Sequence, residues 1–216
     1  MSQAAAMVLY GYWRSSAAYR VRLALGWKQL EYEQVPIDLR TGVQSAAAYR
    51  GLNPQGLVPM LTADGVSITQ SLAIMEFLDE THPERPLLPG DALGRARVRA
   101  AAQIVACDIH PLNNLRVLRY LGDSLRQGQA EKDEWARHWI VSGLTALEAF
   151  AAAHGGRFLY GDAVTMADLC LVPQMYNARR VETDLTDFPM LCAIDARLCA
   201  EAFAVAAHPD AAAGAA

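Results

Sequence analysis

The sequence is short of charge, thiols and long apolar runs. Charged residues make up 19% of its 216 positions, against about 25% in an average globular chain. The formal net charge of −4 leaves no basic excess of the kind a general nucleic-acid binder carries. Four cysteines occur, Cys107, Cys170, Cys192 and Cys199, with no C-x-x-C spacing and no matching histidine pairs. A metal site is therefore not expected. Reduced thiols of this kind suit a cytoplasmic protein. No run approaches the ~18–20 apolar residues that a membrane span requires. The first residues, Met1–Ala6, lack a charged region followed by a long apolar one, so no secretory signal is expected. No internal repeat is present.

What the chain does have is apolar material, 53% of its residues, enough for a sizeable core in one large or two small domains. Met7–Tyr12 reads as a first strand. Ala17–Lys28 reads as a helix, with Ser15 and Ser16 placed to cap it. Glu31–Ile37 is a second strand, and Thr41–Arg50 a short, weak helix ending near Gly51. Met60–Thr62 and Val66–Thr69 flank Ala63-Asp64-Gly65, a strong hairpin signal. Ser71–Thr81 completes a β-α-β-α-β-β-α order, which predicts a mixed sheet covered by helices. Three prolines between His82 and Gly90 then mark a stiff linker and a domain boundary.

Everything beyond the linker reads as helical. Asp91–Leu121 is expected as one long helix kinked at Pro111, which cannot bond to the carbonyl of Cys107. Ala130–Ala153 is a second helix. Thr165 and Asp168 have capping-box spacing at the start of a third, which runs to about Arg180. Met190–Leu198 is the last, and the alanine-rich tail from Ala204 is expected to fray.

Within this frame, Asn53-Pro54-Gln55-Gly56-Leu57-Val58-Pro59 reads as a turn followed by a Val-Pro step at the mouth of a strand. Proline there cannot donate to a ladder, and a cis bond is a candidate. Such a bend turns the amide and carbonyl of Val58 outward. Gln70-Ser71 opens a helix beside it, where free N–H groups favour a carboxylate. An edge-strand proline and an ordinary cap would give the same residues.

The pattern resembles the glutathione transferases over nearly the whole chain. The shared features are Val58-Pro59, Gln70-Ser71, the proline-rich linker, the helical second half and the Thr165–Asp168 capping box. Arg14-Ser15-Ser16-Ala17-Ala18-Tyr19-Arg20-Val21-Arg22 resembles the zeta-class signature, as do Asp108–Leu115 and Met166–Gln174. Two positions depart from it: Ala17 stands where the signature has cysteine, and Tyr19 where it has tryptophan. The lost thiol removes any role for that cysteine and leaves both serines in place.

The resemblance implies a thioredoxin-like glutathione-binding domain over residues 7–85, followed by an all-helical glutathione-transferase C-terminal domain over residues 91–212. It implies reduced glutathione as cofactor, held by Ser15, Ser16, Gln44, Val58, Pro59, Gln70, Ser71, His110, Asn114 and Arg116. Ser15 is the closest match to the catalytic serine, with Ser16 and Arg14 beside it. A hydroxyl donor at the positive end of a helix would stabilise the thiolate. Arg14, Arg179 and Arg180 are the candidates to hold a small dianionic cis-enedione or cis-enoate, because the arginine fork is bidentate toward carboxylates. Solvated surface arginines or a plain helix cap are the plainer readings of these residues. His110 and Asn114 share a face if their helix continues. Arg20 and Arg22 fall on different sides of theirs, Arg20 inward. The implied activity is glutathione-dependent cis–trans isomerisation, in a homodimer without nucleic-acid or membrane partners. General conjugation, dehalogenation and non-catalytic glutathione binding are the alternatives.

Overall fold

The computed structural model of the protein describes residues 7–214; the expectation at Met1–Ala6 lies outside them. The contacts divide the chain into two compact units, residues 7–87 with 200–214 and residues 88–199.

The first unit contains β1 (Met7–Gly11), α1 (Ser16–Trp27), β2 (Tyr32–Pro36), a 3₁₀ turn at Val43–Ser45, α2 (Ala47–Leu52), β3 (Met60–Ala63), β4 (Val66–Thr69) and α3 (Ser71–Thr81). The sheet order is β2-β1-β3-β4. β1 runs parallel to β2 and antiparallel to β3, which pairs antiparallel with β4. The element order and the mixed sheet are those expected, and the fold is the thioredoxin-like one that the resemblance implies. Asp64 and Gly65 both have positive φ, 49° and 77°, as a tight hairpin with a type I′ turn demands. Leu9 and Leu61 of the sheet are fully buried, as are Val21 and Leu25 of α1 and Ile74, Met75 and Leu78 of α3. The weak helix expected over Thr41–Arg50 splits into the 3₁₀ turn and α2, and α2 runs through Gly51 to Leu52.

The proline-rich stretch is pinned at its start. The Lys28 side chain is fully buried against Asp79, 2.8 Å away. Its ammonium also donates to the carbonyls of His82, Glu84 and Arg85. Trp27 Nε1 donates to the Arg85 carbonyl, and Leu87 N–H donates to Asp79. A lysine has three donors and no acceptor, so backbone carbonyls are natural partners for one taken out of water.

The second unit is helical throughout. It contains α4 (Ala92–Gln103), a π-helical segment Ile104–Ile109, α5 (Leu115–Asp123), α6 (Gln129–His154), α7 (Met166–Arg180) and α8 (Pro189–Cys199). The single helix expected over Asp91–Leu121 is not found. Instead the chain widens into π geometry ahead of Pro111, makes a turn, and restarts at Asn114, whose side chain accepts from Arg116 N–H. Proline lacks the N–H that would bond to Cys107, and its ring crowds that carbonyl, so breaking the helix relieves both. Nearly all of α7 is buried, and it packs on α4 and α8. Asp168 is fully buried at the start of α7 and accepts from Leu159 N–H, Thr165 N–H and the Thr165 hydroxyl. The Glu148 carboxylate accepts from Met190 and Leu191 N–H, closing the start of α8.

The chain then returns to the first unit with α9 (Ala202–Ala207) and α10 (Pro209–Gly214). The tail expected to fray is helical, and Ala204, Ala207 and Ala212 are buried. Long-range contacts hold it. Arg22 Nε donates to the Ala207 carbonyl at 2.9 Å, and Phe203 meets Trp27 edge-on with centroids 5.4 Å apart.

Burial pushes the Asp168 carboxyl up to about 6 from 3.8, against the pull of its hydrogen-bond donors. A raised carboxyl favours the fold when protonated. That contribution is complete below about pH 4 and is lost as the pH rises through about 6. Lowering the pH from 6.5 to 4 should therefore stabilise the parent relative to Asp168→Asn by up to roughly 3 kcal/mol. Paired urea titrations across this range check it.

Candidate active site

The register of the sheet gathers the N-terminal candidates at one end. Tyr10 of β1 pairs with Met60 of β3, and Met60 pairs with Thr69 of β4. Ser15 follows Tyr10 by a short turn, Val58 precedes Met60 by two residues, and Gln70-Ser71 directly follow Thr69. Three adjacent strands thus deliver their flanking residues to one edge, about 10 Å wide at ordinary strand spacing. That span suits an extended tripeptide.

Ser15 is the N-cap of α1, half-buried, and its Oγ accepts from Ala18 N–H at 3.3 Å. Its own N–H donates to the Tyr12 carbonyl. A hydroxyl carries one donor and two acceptor positions. Capping therefore uses an acceptor and leaves the proton for a ligand, so the two readings of Ser15 are compatible. Ser16 is buried as the first helical residue. Arg14 is exposed, with its guanidinium 5.3 Å from the centroid of the Trp13 ring. Ala17 places no thiol near these hydroxyls.

Opposite them, the Val58–Pro59 peptide is cis. Val58 lies outside the ladder, whose β1–β3 pairing begins at Met60, so the sheet does not use its amide or carbonyl. The loop ahead of it is clamped. Asn53, 2% exposed, accepts Gln55 N–H on Oδ1 and donates to the Leu57 carbonyl. Tyr49 donates its hydroxyl to the same carbonyl at 2.7 Å, and burial pushes that phenol upward. Gly56 has φ +62°, and a Cβ there would stand 2.8 Å from the carbonyl oxygen of Gln44. The Gln44 side chain is only 8% exposed, and among the described residues its Oε1 has no hydrogen-bond partner.

Gln70 caps α3 in an unusual conformation, φ 70° and ψ 119°, with no side-chain cap bond. Its Nε2 donates to Gln55 Oε1 at 2.9 Å. The first bond of α3 runs from Ile74 N–H to the Gln70 carbonyl. The amides of Ser71, Leu72 and Ala73 therefore have no helical acceptor, the usual condition of a first turn. Ser71 is 6% exposed, and its hydroxyl accepts from Arg20 Nη1 at 3.2 Å. Arg20 and Arg22 point to different partners, but both are buried, 2% exposed, so Arg20 is not the one inward member of the pair. Arg22 donates to the carbonyls of Ala207 and Trp13, and burial pushes it down to about 10, against the opposing pull of Tyr32 and Tyr19. A cleft of about 210 Å³ lined by Tyr12, Trp13, Gln34, Pro36, Asp38, Arg40 and Ala213 contains none of the expected site residues.

The remaining candidates belong to the second unit. The helix expected to continue through His110 and Asn114 is interrupted, yet the two side chains meet, with Asn114 Nδ2 3.3 Å from His110 Nε2. Arg116 is exposed. Arg179 is committed to Asp195, Nη2 to Oδ2 at 2.6 Å. Asp195 is buried, which raises its carboxyl while Arg179 opposes the rise. Arg180 is exposed and donates to Asn177 Oδ1 at 3.2 Å. Tyr49, Asn53 and Gln55 as clamps, and Arg20 behind Ser71, were not assigned from the sequence. Only Asn53-Pro54-Gln55-Gly56 carried a local signal, that of an Asx turn.

A cis-proline loop, a serine-capped helix and an uncapped helix start, brought together by a four-stranded mixed sheet, define a class. Residues 9–86 match the glutathione S-transferase N-terminal domain and residues 116–201 the C-terminal domain. The chain belongs to the glutathione S-transferase family. Maleylacetoacetate isomerase of Rhizobium meliloti is 48% identical over 204 residues, 94% of this chain and 96% of that one. A holo maleylpyruvate isomerase, described as a bacterial zeta-class glutathione S-transferase, superposes with a TM-score of 0.93 at 43% identity, covering 94% of this chain and 97% of that one. Maleylacetoacetate isomerase from Anaeromyxobacter dehalogenans, solved with glutathione in its active site, has a TM-score of 0.87 and 46% identity over 97% of both chains. The same enzyme has also been solved with dicarboxyethyl glutathione and citrate.

Gly56→Ala should destabilise the protein by about 1–3 kcal/mol, since the new side chain meets a backbone carbonyl at a positive φ. Chemical denaturation reads this directly, and an unchanged midpoint would mean that the loop is free to move away.

Proposed function

We propose that this chain is a glutathione-dependent cis–trans isomerase that converts maleylacetoacetate to fumarylacetoacetate in aromatic amino-acid breakdown. The observation that carries the reading is near-full-length likeness to isomerases of that name. The glutathione-side residues Ser15, Val58, Gln70 and Ser71 follow or precede the same end of three adjacent strands, in support. Reduced glutathione is the cofactor and is returned unchanged. Val58 pairs its backbone with the cysteinyl part of the tripeptide, with Pro59 fixing the bend. Gln70, Ser71 and the free amides of α3 hold the γ-glutamyl carboxylate. Gln44 Oε1, which has no partner among the described residues, takes a donor from the tripeptide backbone.

The chemistry needs a thiolate, and free thiols titrate near about 8.5. The Ser15 hydroxyl donates to the sulfur, and the positive end of α1, with Ser16, lowers the cost of its charge. The thiolate adds to one carbon of the cis double bond. The π electrons move onto the conjugated carbonyl as an enolate, and the former double bond becomes a single bond that rotates. Collapse of the enolate expels the thiolate and leaves the trans alkene, with no net proton or electron consumed. Dicarboxyethyl glutathione, bound by the Anaeromyxobacter relative, has the form of a thiol adduct of a small unsaturated diacid.

Arg14 holds one substrate carboxylate. Arg179 and Arg180 are the candidates for the other carboxylate; Arg179 donates to Asp195 and Arg180 to Asn177. In the second unit, His110, Asn114 and Arg116 are the candidates for contacts with glutathione. A cytoplasmic homodimer fits the free cysteines and the exposed apolar side chains Leu52, Val66 and Leu93. Maleylpyruvate is the second substrate reading, favoured by the close superposition on a maleylpyruvate isomerase.

Ultraviolet absorbance of each cis substrate, with and without glutathione, tests the reading. Glutathione-dependent loss should be faster with maleylacetoacetate. The reverse ranking supports the second substrate, and no dependence with either defeats the isomerase reading. Ser15→Ala should lower kcat by about 10²–10³ while glutathione affinity changes little. Arg180→Met should raise KM for the substrate, whereas Arg179→Met should instead destabilise the protein by leaving Asp195 buried without its partner.

A further inference from the structure

We propose that Arg20 is a positioning residue for glutathione: its guanidinium orients the Ser71 hydroxyl toward the γ-glutamyl carboxylate. This rests on the cofactor reading above and assigns a role to a residue that does not itself touch the ligand. Arg20 Nη1 lies 3.2 Å from Ser71 Oγ, in a buried contact 51 residues apart in sequence. Arginine has only donors, so Ser71 Oγ must be the acceptor. The hydroxyl proton is then directed elsewhere.

Serine inside a helix commonly gives that proton to the carbonyl four residues back. Ser71 is the first residue of α3, and the residue four back, Ser67, belongs to β4, so no helical turn offers that acceptor. No acceptor for the proton is found among the described residues. Beside it stand the amides of Ser71, Leu72 and Ala73, without helical partners. Gln70, at φ 70°, provides no side-chain cap that would occupy them. A polarised hydroxyl and a first turn of free N–H groups converge on one place, and their common complement is a carboxylate. Arg20 is 2% exposed, behind the hydroxyl rather than in the site. It acts through Ser71 by fixing the direction of its proton and strengthening it as a donor.

The experiment measures calorimetric affinities of the full-length protein for glutathione and for its analogue with the γ-glutamyl α-carboxylate converted to the primary amide. Arg20→Met should weaken glutathione binding about tenfold, the scale of one hydrogen bond to a charged group, and change binding of the amide by less than about twofold. In a Ser71→Ala background the same substitution should cost glutathione less than about twofold. If Arg20→Met does not fold, Arg20→Lys, which keeps the cation and loses the planar fork, carries the same comparison. Equal losses for both ligands, or an undiminished loss without the Ser71 hydroxyl, would reduce Arg20 to a tie between α1 and α3 and overturn the inference alone. Failure of the parent to bind glutathione overturns the cofactor reading and the inference together.

Discussion

The row of paired residues Tyr10, Met60 and Thr69 is the constraint on which the site depends. Strand pairing fixes register, and a slip by one residue would turn each strand's side chains to the opposite face. Because the row sits at the end of three strands, the segments that leave it emerge side by side. One becomes the start of α1, one arrives through the cis-proline loop, and one becomes the start of α3. No two of these segments are neighbours in sequence. A helix start is a modest anion site by itself, and a bent strand mouth is a modest partner for a peptide. Adjacent, with a hydroxyl on each helix start, they match a ligand that has a carboxylate, a peptide backbone and a thiol.

Around that row, polar groups are held by others behind them. Leu57 accepts from Tyr49 and Asn53, so the loop reaching Val58 is fixed from inside. Gln55 takes the amide of Gln70, and Arg20 takes the hydroxyl of Ser71. Ser15 spends an acceptor on its own helix and keeps a proton. Preorganised donors cost little reorganisation when charge develops, which is what a thiolate that must form, attack and leave requires. Lys28 performs the equivalent task for the fold, gathering Asp79 and three carbonyls so that the chain leaving α3 is held rather than loose.

Local patterns carried the element order. Asp64-Gly65 could only be a tight turn, the Val58-Pro59 step stood out, and Thr165 with Asp168 marked the start of α7. What the sequence did not show was settled at long range. The tail from Ala204 has the composition of a fraying end, yet Arg22 and Trp27 hold it from almost two hundred residues away. Pro111 in the sequence predicts a kink, because proline costs a bond in any helix. The chain instead widens into π geometry and restarts at a new cap, Asn114. Arg179 and Arg180 are equivalent as residue types, and only the fold gives them different partners, the buried Asp195 and Asn177. Ser15 was posed as cap or catalyst, and the hydroxyl's valence allows both.

On the proposed function, the first unit lowers the cost of a thiolate on bound glutathione. The most direct test is a pH titration of the ultraviolet thiolate absorbance of glutathione on the protein, with Ser15→Ala alongside. Ionisation should fall below the free value of about 8.5 and move back toward it when the hydroxyl is removed. An unshifted thiol on the parent protein would contradict this.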